Sequence, residues 1–185
     1  MVITILAEPR SGSTNLANWF LQKNNFTILY EPITSPNLRW FQNGLHPSLW
    51  KFTSEHLLVK EIYRPDVNFS ELIGISDKLI ILYRENTIEQ TQSWLNAIKT
   101  NNWSHSWAYN AEFIKNENPS YFNEIKKGIK ENYLNNDYFN ISYEELYYNN
   151  GFQKILNYLN IDNLENKDFP YGSKYRVERN MKSLI

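Results

Sequence analysis

Cysteine is absent from the sequence, which excludes disulfides, thiolate metal sites and cysteine nucleophiles. A reducing compartment, the cytoplasm, is the expected location. Histidine is scarce: His46, His56 and His105 are scattered without metal-ligand spacing. Charge of one sign is missing too, since 19 Lys and Arg face 20 Asp and Glu for a net charge of -1. A nucleic-acid or anionic-membrane binder would carry a broad basic field, so any anion must be held by a local site. No long apolar run is present either. The N-terminal one, Met1 to Ala7, stops at Glu8-Pro9-Arg10, too short for a signal segment or a membrane span.

What is abundant is apolar and aromatic surface, 42% hydrophobic and 16% aromatic, enough for a packed core in a chain of 185 residues. No internal repeat, long linker or boundary breaks it, so residues 1–185 read as a single domain. Val2 to Ala7 reads as a strand, followed by a polar loop and a helix in which Leu16, Trp19 and Phe20 keep helical spacing. Phe26 to Tyr30 reads as a strand ended by Glu31-Pro32. Residues 33 to 55, with Pro36, Gly44 and Pro47 among Trp40, Phe41 and Trp50, read as a long irregular connection. Leu57 to Tyr63 and Lys78 to Tyr83 are continuous apolar runs of the kind a parallel sheet buries on both faces. A helix capped at Thr87 follows, with Ile88, Thr91, Leu95 and Ile98 sharing one face. Residues 103 to 136 read as helical, with Phe113, Tyr121, Phe122, Ile125 and Ile129 as the buried stripe. Asp137 to Ser142 is a further strand, and Phe152, Ile155, Leu156 and Leu159 mark a final helix. The alternation indicates an α/β fold, a mostly parallel central sheet flanked by helices.

In such a sheet ligands sit beyond the carboxyl ends of the strands. After the first strand comes Arg10-Ser11-Gly12-Ser13-Thr14-Asn15, where Gly12 allows close backbone approach and the next helix start offers amides to an anion. The other reading is a polar turn that caps the helix. The loop is not a Walker motif, because no glycine lies five residues before Gly12 and Ser13 stands at the lysine position, which disfavours a nucleotide kinase. Arg84 ends the fourth strand, and Ser93 lies nine residues further on.

PRSGST after the first strand, LIILYRENTIEQTQSWLNAIKTNNW from Leu79 to Trp103, and ISYEEL from Ile141 to Leu146 jointly resemble the PAPS-dependent sulfotransferases. The middle segment is most similar to the bacterial trehalose sulfotransferase group. The resemblance implies a P-loop-like loop, Arg10 through Asn15 (Arg10, Ser11, Gly12, Ser13, Thr14 and Asn15), cradling the 5'-phosphosulfate of PAPS. It implies that Arg84 and Ser93 grip the 3'-phosphate, that Glu31 stands where carbohydrate sulfotransferases place a general base, and that Lys60 faces the sulfuryl group. Arg10 stands where many members have lysine, replacing a point charge by a fork. Lys174 and Arg176 are the candidates to close on the 3'-phosphate from the tail. The implied activity is sulfuryl transfer from PAPS, without a metal, to a hydroxyl of a carbohydrate or glycolipid. Trp103, Trp107 and residues 33 to 55 are the expected acceptor contacts. The chain is short for the family, so the acceptor part is either reduced or completed by a second subunit in a homodimer. Glu8 puts a negative charge before the loop, which fits only if it points away or pairs with Arg10. The competing reading is an inactive sulfotransferase-like module that holds a nucleotide without turnover.

Overall fold

The computed structural model describes residues 1–23, 26–34, 56–100, 119–134 and 137–161. Among them five strands form one sheet, β1 (Val2–Ala7), β2 (Phe26–Tyr30), β3 (His56–Ile62), β4 (Lys78–Tyr83) and β5 (Phe139–Ser142), in the order β2-β3-β1-β4-β5. Every neighbouring pair is parallel, so the architecture is the expected α/β with a parallel sheet. The helices are α1 (Ser13–Leu21), α2 (Ser70–Ile75), α3 (Thr87–Thr100), α4 (Pro119–Ile129, continued by a π-helical turn at Lys130–Leu134), α5 (Tyr143–Tyr148) and α6 (Phe152–Leu159).

Alternation along the strands sorts side chains to two cores. Ile3, Ile5, Leu58, Ile80 and Leu82 pack with Leu16 and Phe20 of α1, Tyr143 and Leu146 of α5, and Phe152 and Leu156 of α6. Leu6, Leu57, Val59, Leu79 and Ile81 pack with Leu72 of α2 and with Ile125 and Ile129 of α4. Covered on both faces, all six residues of β1 are buried, which is why that strand reads as an unbroken apolar run. The chain leaves β1 toward β2 on one side and leaves β4 toward β5 on the other. The crevice where outgoing connections diverge therefore lies between the ends of β1 and β4.

Several local expectations change. The link between β3 and β4 contains the short helix α2. Asn86, not Thr87, caps α3: its Oδ1 accepts from the Glu89 amide at 3.1 Å. The stripe of α3 defined by Ile88 and Leu95 faces outward, 73% and 55% exposed, whereas Gln90 and Ala97 are buried. Ile125 and Ile129 of the predicted 103–136 stripe are buried as expected; Phe113 and Trp103 lie outside the described residues. Among the described residues no helix is long and apolar enough to cross a membrane.

Candidate functional site

The loop after β1 is held in a conformation that ordinary residues avoid. Arg10 has φ 61° and Gly12 has φ 81°, both in the left-handed region. A side chain at Gly12 would meet Tyr147 and Tyr143, whose ring carbons lie 2.7 and 3.0 Å from an added Cβ. The Tyr147 hydroxyl donates to the Gly12 carbonyl at 2.8 Å, and the buried Ser11 hydroxyl donates to the Glu8 carbonyl at 2.7 Å. Gly12 is the N-cap of α1 and has no side chain to cap it. The first amides of α1 therefore have no side-chain cap at the positive end of the helix dipole, where Ser13 and Thr14 carry hydroxyls.

Arg10 reaches across to α3, where its Nε donates to Ser93 Oγ at 3.0 Å. Arg84 lies under the loop with its side chain fully buried. Its Nη1 donates to the Arg10 carbonyl at 3.3 Å and its Nη2 to Glu89 at 2.6 Å, while its guanidinium stacks 4.4 Å over the Tyr143 ring. The fold thus gathers Arg10, Arg84 and Ser93 around one loop, although they are 74 and 83 residues from Arg10 in sequence.

Glu8 follows the alternation of β1 onto the α4 face. It is buried there, accepting from Lys126 Nζ at 3.0 Å, Gln90 Nε2 at 3.0 Å and the Arg84 amide at 3.2 Å. Lys126 also donates to the Arg84 carbonyl at 3.0 Å and to Gln90 Oε1 at 2.8 Å, and Gln90 donates to the Pro9 carbonyl at 2.8 Å. The charge before the loop therefore serves as an anchor that ties the ends of β1 and β4 to α3 and α4.

At the end of β2, Glu31 sits at φ 50° and is bonded to the buried ammonium of Lys60, and its amide donates to the Lys60 carbonyl at 2.6 Å. Lys60 shares the parity of Leu58 on β3, so it lies on the α1 face of the sheet, beside Ile5. The structure thus brings Glu31 and Lys60 together and places them on the same face as the α1 start. Lys174, Arg176, Trp107 and most of the 33–55 connection lie outside the described residues.

The next residue on β3, Glu61, takes the opposite face and is fully buried. It accepts from the Ile33 amide at 2.6 Å and the Thr34 hydroxyl at 2.7 Å, which pins the turn that follows Glu31. Burial pushes its carboxyl from 4.5 up to about 7, against the opposing pull of those two donors. The folded protein therefore holds a proton that the unfolded chain has released, and stability falls as pH rises from about 4.5 through about 7. The span amounts to about 3 kcal/mol at 1.36 kcal/mol per pH unit. Urea unfolding at a series of pH values should show this slope in the parent and a flatter profile in Glu61→Gln; parallel profiles would remove Glu61 as its source.

Reading the residues alone singles out the loop, Arg84 and Ser93, and the family resemblance adds Glu31 and Lys60; neither reaches Gln90, Glu61, Glu89, Glu144 or Lys126. For Glu61 a signal exists, because two adjacent charges inside the run Leu57 to Tyr63 cannot both be buried without partners. For Lys126 there is none, since it meets Glu8 across 118 residues.

Neither a protein-family model nor a curated protein matches the sequence. Among solved structures, mouse sulfotransferase SULT7A1 complexed with PAP is similar over 99% of this chain, with TM-score 0.60 and 17% identity. This chain spans 63% of the length of that protein. Deoxyadenosine kinase from M. mycoides with bound dATP is similar over 86% of this chain and 100% of that one, with TM-score 0.46 and 15% identity. The likeness to the sulfotransferase is one of fold.

Proposed function

We propose that this protein is a PAPS-dependent sulfotransferase that moves a sulfuryl group to a hydroxyl of a carbohydrate or glycolipid. The observation that carries the reading is that an uncapped α1 start and the Lys60–Glu31 pair lie on one face of the sheet. The fold shared with a PAP-bound sulfotransferase supports it. The donor set suits the nucleotide. The α1 amides, the hydroxyls of Ser13 and Thr14 and the Arg10 guanidinium offer hydrogen-bond donors and positive charge for the 5'-phosphosulfate. For the 3'-phosphate the ligands are Ser93 and the Arg84 guanidinium, whose Nη2 is bonded to Glu89 and whose Nε has the Glu144 carboxylate 3.6 Å away. Among the described residues no group of three or more His, Asp or Glu is arranged to hold a metal.

Bound there, PAPS supplies an activated sulfuryl group. Glu31 takes the proton from the acceptor hydroxyl, which is a poor nucleophile near neutral pH. Lys60, Arg10 and the loop amides stabilise charge that builds on the transferring oxygens and on the leaving phosphate. The finer parts of the reading rest on residues rather than on the fold. They are the likeness of the Leu79 to Trp103 segment to the bacterial trehalose sulfotransferase group, a carbohydrate or glycolipid acceptor, Lys174 and Arg176 as further phosphate ligands, a cytoplasmic location and completion of the acceptor part in a homodimer. A second reading, a nucleotide-holding module without turnover, is favoured by one feature: Lys60 and Glu31 are bonded to each other.

Labelled PAPS incubated with a panel of sugars and glycolipids tests the proposal. Transfer to at least one acceptor, undiminished in EDTA, is the expected result. Transfer that EDTA abolishes and magnesium restores would contradict it, and binding of PAP without transfer to any acceptor would favour the module.

A further inference from the structure

We infer that the Glu89 carboxylate occupies the 3'-phosphate position on Arg84 and must be displaced by the nucleotide, so that Glu89 sets how strongly the site prefers a 3'-phosphorylated ligand. The inference rests on the donor reading above. Glu89 and Ser93 are four residues apart on α3 and therefore project side by side. Ser93 Oγ meets Arg10 Nε at 3.0 Å, and Glu89 meets Arg84 Nη2 at 2.6 Å. An anion bonded to Ser93 and to Arg84 Nη2 would compete with the Glu89 carboxylate for that donor.

Two carboxylates flank the Arg84 guanidinium, and they differ in how firmly they are held. Glu144 lies 3.6 Å from Arg84 Nε and is anchored elsewhere, accepting from the Glu85 amide at 2.9 Å and the Asn86 amide at 3.1 Å. Glu89 has a side chain 53% exposed, and Arg84 is the partner of its carboxylate among the described residues. It can turn into solvent at little cost, whereas Arg84 cannot move. Its side chain is wholly buried, stacked on Tyr143 and bonded to the Arg10 carbonyl. A carboxylate here does two things: it compensates a buried guanidinium while the site is empty of nucleotide, and it opposes a dianionic phosphate that competes for the same donors.

Calorimetry with PAP and with AMP, which lacks the 3'-phosphate, compares the parent with Glu89→Gln. The substitution keeps the shape and removes the charge. PAP should bind about tenfold more tightly to the variant, while AMP binding stays the same. Glu89→Ala, which removes the competing oxygens altogether, should show the same direction, and thermal unfolding of each variant establishes that it is folded. A preference for PAP over AMP that is identical in parent and variants would overturn the inference while leaving the donor reading standing. Equal binding of PAP and AMP by the parent and both variants would overturn the donor reading and the inference together.

Discussion

Glu31→Gln should lower the rate of sulfuryl transfer by roughly 10²–10⁴ while PAP affinity barely changes, because the amide keeps the shape and an acceptor oxygen but no longer takes a proton. The neighbourhood makes the substitution a clean one. Lys60 can still donate to the amide oxygen, and the turn is held independently by Glu61 through Ile33 and Thr34. If Glu31 serves only to close the turn before Pro32, the same change should instead lower stability by about 1.5–3 kcal/mol, the value of a hydrogen bond to a charged group, and weaken nucleotide binding with it. Steady-state rates and thermal unfolding of the same preparation separate the two outcomes.

Lys126→Met should be the most destabilising of the single substitutions considered, by about 3 kcal/mol, since it leaves the buried Glu8 carboxylate without its cation. Gln90 and the Arg84 amide still donate to Glu8, but neither brings a charge. In a chain of this size each kcal/mol moves the midpoint of thermal unfolding by roughly 2–4 °C. Glu8→Gln combined with Lys126→Met should recover part of the loss, because the uncompensated charge is then gone. A Lys126→Met protein as stable as the parent would show that the pair contributes nothing net. Because Glu8 and Pro9 lead directly into Arg10, the destabilised variant should also hold PAP less tightly.

The strands, the loop after β1 and the arginine beyond β4 are legible in the residues because each is a local pattern, an apolar run, a glycine stop or a charge just beyond; Glu31 and Lys60 become legible only through the family resemblance. In helix α3 the apolar spacing points to the wrong face for a physical reason. Its buried position is taken by Gln90, whose amide satisfies Glu8, Pro9 and Lys126 beneath the loop, while Ile88 and Leu95 face outward. A hydrophobic pattern assigns a glutamine to solvent, yet the polar backbone under the β1–α1 loop needs a polar partner more than an apolar one. The direction of Glu8 follows from the alternation of β1, but its partner comes from α4, and no local spacing encodes a contact of that range. The place of Arg84 at a strand end and its role as a ligand are carried by the motif; that Glu89 and Tyr143 enclose it depends on two further elements meeting there.

The central claim is that one nucleotide spans the α1 start and the Arg84–Ser93 position with its sulfuryl end toward Lys60. A crystal structure of the protein soaked with PAP tests it most directly. The 5'-phosphate should lie on the amides of Ser11 to Asn15 beside Arg10, and the 3'-phosphate should bond Ser93 and Arg84 with the Glu89 carboxylate turned away. PAP bound elsewhere, or bound with its 3'-phosphate in solvent and Glu89 still on Arg84, would contradict the account.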